Sequence, residues 1–310
     1  MPARNSKQFR WRCILTVVAL LTPALAASAL PGGGSVKAQT GASRSAPGPD
    51  LSLPPVRWAE AAAGVQEGIV NDNGTVLLRY RMRKRDAKGD VLREVIESKE
   101  GSVARLIQRD GQALTAEENA AERERLEGIL SSPDAFLRRV RRDGGSKSYA
   151  TELLHSMPKA MLWSYVPGQP QLSGASGPAV VLDFKPDPNF KPPSLVTDGL
   201  KGVAGRVWID AASHGVTRIE GQILHSVDFG WGGVLARVKE GGHIDMDQRQ
   251  VANQRWLYSH ISEHLSIREV LVHTVEENAE LNTFDVQTLP APVSYQQAIR
   301  MLLDVPVPTR

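Results

Sequence analysis

Two stretches of this 310-residue chain carry residue types that could do chemistry. His260-Ile-Ser-Glu263-His264 matches H-x-x-E-H, a pattern in which two histidines hold zinc and the glutamate acts as a base. That pattern needs a helix, where residues four apart share a face about 6 Å from each other. The surrounding Trp256, Tyr258, Ile261, Ile267, Val270 and Val272 predict a strand instead. On a strand, residues four apart lie about 13 Å from each other, too far to share one zinc ion bound at about 2 Å. The second stretch is His243-Ile-Asp245-Met-Asp247, whose polar residues alternate with apolar ones and so share one strand face. A metal there needs further ligands from a neighbouring strand, and a solvated face explains the pattern without one. No metal site and no cofactor are assigned. No pair of carboxylates is set apart as an acid/base couple, and G-x-S-x-G, P-loop and G-x-G-x-x-G motifs are missing from the sequence. The chain is therefore expected not to be an enzyme, with a zinc hydrolase using His260, Glu263 and His264 as the remaining catalytic reading.

Charge and aromatics suggest binding more than catalysis. Arg79, Arg81, Arg83 and Arg85 line one face of a predicted strand, and Arg138, Arg139, Arg141 and Arg142 form a second basic run. These suit lipid phosphates or an anionic membrane surface; the plainer reading pairs the first run with Glu94, Glu97 and Glu100 on the next strand. Phe229 and Trp231 stand among glycines in Phe229-Gly-Trp-Gly-Gly233, either as a hydrophobic lip or packed over the end of the fold.

The ends of the chain read as something other than fold. Arg4, Lys7, Arg10 and Arg12 precede the apolar run Cys13–Leu21, and Ala24-Leu-Ala26 or Ala27-Ser-Ala29 follows as a small-x-small site. Residues 1–29 thus read as a secretory signal peptide, which predicts an exported, periplasmic protein, possible contact with the outer membrane or an envelope protein, and no nucleic-acid partner. Removing them takes four of 37 basic and none of 34 acidic residues, leaving 33 against 34, a net of about −1. The basic balance of the whole chain is therefore carried by the signal segment. The one cysteine, Cys13, goes with it, so no disulfide or thiolate chemistry is expected. Residues 30–50 are rich in Gly, Ser, Ala and Pro and read as a flexible linker. Residues 51–289 suit one domain, and 290–310 form a proline-rich tail around a short helix, Tyr295–Leu303.

The domain's elements follow from periodicity. Arg57–Val70 reads as a helix with a stripe of Trp58, Ala61, Ala62, Val65 and Ile69. Thr75–Arg85, Val91–Glu100 and Val103–Arg109 read as a three-stranded meander with turns at Asp86–Asp90 and Asp110-Gly111. Thr115 and Glu118 form a capping box for a helix reaching Leu130. Ser132-Pro133 starts another, Pro133–Arg142, ending at Gly144-Gly145, and Ser148–Ser156 reads as one more short helix. Strands then dominate: Ala160–Val166, Ala179–Phe184, Val203–Asp210, Val216–Phe229, Val234–Asp247 and Trp256–Val275. In the hairpin Gly205–Leu224, Val207 and Ile209 should share a face with Thr217, Ile219 and Ile223. Trp208 and Asp210 look structural.

The signature V-W-I-D-x-x-x-x-G-V-T-R-I-E, carried by Val207, Trp208, Ile209, Asp210, Gly215, Arg218 and Ile219, stands at the centre of this meander. Upstream, the Tyr80 strand, the Asp86–Asp90 turn, Asp110-Gly111 and the Glu-rich helix Glu117–Leu130 occur in comparable order. In these features the chain resembles the periplasmic LolA/LolB-type superfamily, which includes RseB-type stress sensors and mycobacterial lipid-binding lipoproteins. The resemblance covers most of Arg57–Thr283. It implies a mainly β (α+β) fold, a half-open antiparallel β-barrel or curved sheet with helices on its concave side. It also implies a hydrophobic ligand, a lipid or lipoprotein acyl chain, held without catalysis; the alternative is an RseB-like module that binds other envelope proteins. The expected ligand contacts are Val76, Leu78, Tyr80, Met82, Val207 and Ile209, with Phe229 and Trp231 at the rim.

Overall fold

The structure is a computed structural model. It describes residues 50–72, 76–175, 177–229, 236–252, 255–269 and 273–310, with the backbone alone at 142–146, 229, 236, 269 and 273. The expected signal peptide, the linker up to residue 49 and Trp231 lie outside the described residues, as does the side chain of Phe229.

Helix α1, Pro55–Asn71, opens with proline in its first turn, where the missing N–H has no partner to lose. It buries Trp58, Ala59, Ala62, Gln66 and Val70. Strands β1 (Leu78–Asp86), β2 (Gly89–Ile96), β3 (Val103–Arg109) and β4 (Gln112–Ala113) follow as a meander. Helix α2, Ala116–Ser131, starts at the expected capping box, with Thr115 accepting from the Glu118 backbone and Glu118 accepting from the Thr115 backbone. Helix α3 then runs unbroken from Asp134 to Ala160. This corrects the reading of two helices separated at Gly144-Gly145. Glycine costs a helix about 1 kcal/mol per residue, and packing at both halves outweighs that. Phe136, Leu137 and Val140 join one apolar cluster, while Ala150, Leu153 and Leu154 join another.

Strands β5 (Met161–Tyr165) and β6 (Ala179–Pro186), the short helix α4 (Leu195–Asp198) and a 3-10 turn (Gly199–Gly202) lead into β7 (Val203–Asp210) and β8 (Val216–Ile223). Beyond them are β9 (Val227–Phe229), β10 (Ala236–Val238), β11 (His243–Ala252), β12 (Arg255–Glu269), β13 (His273–Thr288) and helix α5 (Tyr295–Leu303). Three runs read as single strands are thus each two. Strand β13 was expected to end at Val275 as the tail of its predecessor, yet it forms a long strand between β1 and β12. Its Glu276-Glu-Asn-Ala-Glu280 stretch has weak strand propensity; pairing on both sides holds it extended.

All thirteen strands belong to one antiparallel sheet, ordered β4-β3-β2-β1-β13-β12-β11-β8-β7-β6-β5, with β9 and β10 attached beside β12. Strands β4 and β5 are its two ends, so the sheet is open. The fold is the expected mainly β, α+β architecture. Register defines its faces, because side chains of paired residues point the same way. Leu182, Val207, Ile219, Met246, Ile261 and Leu281 form one row across β6, β7, β8, β11, β12 and β13. This inner face packs on Trp58 and Ala62 of α1, on Ala160 at the end of α3 and on Met161 at the start of β5. Leu78, Tyr80 and Met82 continue it on β1. A second helical group covers the other face at the β2–β3 end, where Ile96 and Val103 pack with Leu126, Phe136 and the α5 residues Tyr295, Ala298, Ile299 and Leu302.

The β7–β8 hairpin carries a one-residue bulge, so Val216 rather than Thr217 faces Ile209. Its turn is built by Asp210, whose Oδ1 accepts from Ala212 N, Ser213 N and the Ser213 hydroxyl. Trp208 packs on Val166, Ala179 and Val181 and donates its indole N–H to the Pro170 carbonyl at 2.8 Å. Both residues are structural, as their positions suggested.

Candidate ligand-binding cavity

Three apolar clusters meet between the second half of α3 and the inner face of the sheet, and a cavity opens there. Ala150, Leu153, Leu154 and Met157 supply its helical wall, with Met161 at the start of β5 beside them. Val196, Gly199 and Leu200, from α4 and the 3-10 turn, close one end. The strand wall comes from Ile219, Gly221 and Ile223 of β8, flanked by Phe184, Val203 and Ile244, with Val227 and Val238 beyond. Every lining residue is apolar or glycine. Counted out through its mouth into open solvent the space is about 890 Å³; the cavity itself is about 70 Å³. Several waters would fit that space by size, but no side chain there offers them a hydrogen bond.

Why the wall forms is local. On α3, Ala150, Leu153, Leu154 and Met157 recur at helical spacing and face one way. On β8, Ile219, Gly221 and Ile223 alternate with Glu220 and Gln222, so the wall faces in and the carboxylate faces out. The outward residues make a cross-strand ion ladder. Arg206 pairs with Asp183 at 2.7 Å, and Arg218 bridges Glu220 and Asp247 at 2.8 and 2.7 Å. Farther along, Glu94 holds both Arg79 and Arg81, and Asp90 holds Arg83 and Arg85. Asp285 pairs with Arg81 as well and Glu280 with Arg85, so the arginine row is balanced by Glu94, Asp90, Glu280 and Asp285; of the expected trio only Glu94 takes part. Glu97 instead accepts from Tyr80, Leu78 N and Arg255, and Glu100 accepts from the Tyr295 backbone N–H at the start of α5. The Arg83 hydrogen bond holds the Asp90 carboxyl below the usual range. Burial pushes the Glu97 carboxyl up despite Arg255 beside it.

The H-x-x-E-H stretch lies on β12 as a strand. His260 and His264 point to the outer face, where His260 Nδ1 is 2.8 Å from Asn282 Oδ1 and His264 stacks on His243 with ring centroids 5.4 Å apart. Glu263 alternates to the inner face, in register with Ile244, and burial raises its carboxyl pKa. The three groups therefore do not converge, which removes the zinc-hydrolase arrangement. Among the described residues no cluster of three or more His, Cys, Asp or Glu has metal-binding geometry.

Of the residues expected to touch a ligand, Val207 and Ile209 lie in the central core on the same face as the cavity, Val207 directly beside the lining residue Ile219. Leu78, Tyr80 and Met82, with Val76 against them, form a separate cluster around Val95 and Leu257. Neither group lines the cavity. A helix ending at Ser156 stops one residue short of Met157; the sequence signal for the helical wall is the Ala150, Leu153, Leu154, Met157 stripe, complete only in the longer α3.

The fold and cavity define a class: an open antiparallel α+β sheet with an apolar internal cavity under one helix. No protein-family model and no curated protein matches the chain. A solved structure that does match is a crystallised Vibrio parahaemolyticus domain described as an outer membrane lipoprotein-sorting protein domain. The match has 11% identity, covers 79% of this chain and 99% of that one, and has a TM-score of 0.28. The architecture given above rests on this chain's own strand pairing.

Proposed function

We propose that this protein is an exported, non-enzymatic carrier or receptor for a hydrophobic ligand, a lipid or acyl chain held in the α3–β8 cavity. The observation that carries the reading is the cavity wall, which contains no polar side chain over its whole extent. A void of that kind has little to gain from water and much from alkyl groups, at about 0.8 kcal/mol for each CH2 transferred from water. Five such groups amount to about 4 kcal/mol before the cost of ordering the ligand. A polar head stays at the mouth, since no charged side chain lines the cavity to receive it. The sorting role attached to the Vibrio parahaemolyticus domain agrees with this proposal and adds no weight to it.

Export is part of the same proposal, on the basic, apolar and small-residue pattern of residues 1–29. Among the described residues no helix is long and apolar enough to cross a membrane. The test is native mass spectrometry of the mature protein purified from the compartment it is exported to. A bound species with the mass of a lipid or fatty acid, released by organic solvent, is the expected result. Protein that is empty there, and that fails to bind a fluorescent fatty acid afterwards, sinks the proposal.

A further inference from the structure

We propose that the cavity accepts a single alkyl chain and that Gly221 sets how much of that chain can enter. This rests on reading the cavity as the ligand site and names what the site takes.

The first observation is size. A water molecule has a share of roughly 30 Å³ in the liquid, and a methylene group takes similar room. The cavity itself is about 70 Å³; the figure of about 890 Å³ counts space already open to solvent. At roughly 15 Å³ per water position that is about five positions, too few for two chains side by side. Met157 and Met161 in the wall are unbranched and flexible, which lets the space lengthen by side-chain adjustment.

The second observation is the strand floor. Across the inner face one row is filled by Leu182, Val207, Ile219 and Met246. The row beside it reads Phe184, Gly205, Gly221 and Ile244. The two glycines are adjacent, but their reasons differ. At Gly205 a Cβ would meet the Glu220 carbonyl oxygen at 2.0 Å, so no side chain fits. At Gly221 the nearest atom to a Cβ is the Ile244 carbonyl oxygen at 3.4 Å, with nothing else within 4 Å. Its backbone is not in the positive-φ region. Neither backbone nor packing calls for glycine at 221. A glycine inside a strand weakens it, and it is kept where the strand bulges or bends or where another backbone, as at Gly205, or a ligand comes close. At Gly221 the missing side chain is volume added to the cavity.

The ligand class follows: a single-chain amphiphile, with its head outside the wall. A fatty acid and a lysophospholipid share that chemistry.

The experiment uses the full mature chain, a graded series of saturated fatty acids, a lysophospholipid and a diacyl phospholipid. Binding is read by displacement of a fluorescent fatty acid and by native mass spectrometry. One chain per protein is expected, with the diacyl lipid excluded. In Gly221→Leu the longest acids should weaken by about 200-fold, from about fourfold for each of four displaced methylenes. The shortest should be unchanged, and the melting temperature equal or higher because a void is filled. Ala150→Leu, from the opposite wall, should shorten the preferred chain in the same way, and it decides the matter if Gly221→Leu does not fold. Binding of the fatty acids with only one head group tolerated identifies the source and leaves the single-chain inference intact. Wild-type protein that binds nothing overturns the cavity as a ligand site. Wild-type protein that binds long acids, with both folded variants binding them equally well, overturns the role of Gly221 while leaving the cavity reading in place. A diacyl lipid bound as tightly as a fatty acid overturns the single-chain claim.

Discussion

Glu94 is 4% exposed yet carries two arginines, Arg79 at 2.7 Å and Arg81 at 2.9 Å. Each arginine is partly in water, so most of the energy lies in the hydrogen bonds to one desolvated carboxylate. Glu94→Gln keeps the shape and removes the charge that both guanidinium groups share. A loss of about 1–3 kcal/mol is expected, in the range for hydrogen bonds to charged groups, read by urea unfolding. A change below about 0.5 kcal/mol would place this pair with ordinary surface ion pairs. Arg105 shows the opposite arrangement. It is 2% exposed and has no carboxylate partner among its hydrogen bonds. Its guanidinium donates to the carbonyls of Leu302, Leu303 and Val305 and to Asn119 Oδ1. It caps the C-terminal end of α5, where carbonyls lack helical partners, and burial lowers its pKa.

At the scale of elements, α5 belongs to the domain, although its sequence sits in a proline-rich tail. Ser294 and Gln297 form its capping box, and Tyr295, Ala298, Ile299 and Leu302 are buried against Ile96, Val103, Leu126 and Phe136. Ile299→Ala should cost about 2–4 kcal/mol, the usual range for emptying a buried isoleucine site. Chemical denaturation gives the number, and a cost under about 1 kcal/mol would mean that α5 is only loosely docked. Strand β13 makes a comparable point. It pairs with β1 from Leu78 to Asp86 and with β12 from His260 to Glu269, and so joins the N-terminal meander to the rest of the sheet. Without it the sheet would have two more edges, each with unpaired backbone groups.

For the whole molecule, buried and paired carboxylates pull stability in opposite directions with pH. Hydrogen bonds from Arg83, Lys84 and Arg237 lower the pKa values of Asp90, Asp86 and Asp228 below the ordinary 3.8. These contribute stability that is present above 3.8 and is lost as pH falls through the lowered folded values. Burial raises Glu263 and Glu97 above the ordinary 4.5. Their charged forms cost stability above the raised folded values, and that cost is relieved as pH falls toward 4.5. The melting temperature should therefore rise modestly on moving from neutral pH toward 4.5 and fall below 3.8. Glu263→Gln should flatten the first limb and leave the second, as followed by circular dichroism. A first limb unchanged in that variant would show that Glu263 does not carry it.

The sequence by itself determined what is local. Alternation put Val207 with Ile209 on one face of their strand and the four arginines together on one face of β1, because side chains on a strand must alternate; which face turns inward came from the packing. The Thr115–Glu118 box fixed the start of α2, and Tyr295–Leu303 could be read to the residue, because caps and short amphipathic stripes lie within a few positions of each other. The strand at His260–His264 was legible for the same reason, and with it the loss of the zinc arrangement. Tertiary structure alone decided the rest. It carried α3 through Gly144-Gly145 and held β13 extended through a charged stretch, since packing along both sides outweighs propensities of about 1 kcal/mol per residue. It also decided where the cavity lies. A cavity is a place where side chains fail to meet, so its signal is in no single segment. Leu153 and Met157 become its wall only when α3 crosses β8, and Gly221 becomes its floor only because nothing there comes close enough to fill the space of a side chain.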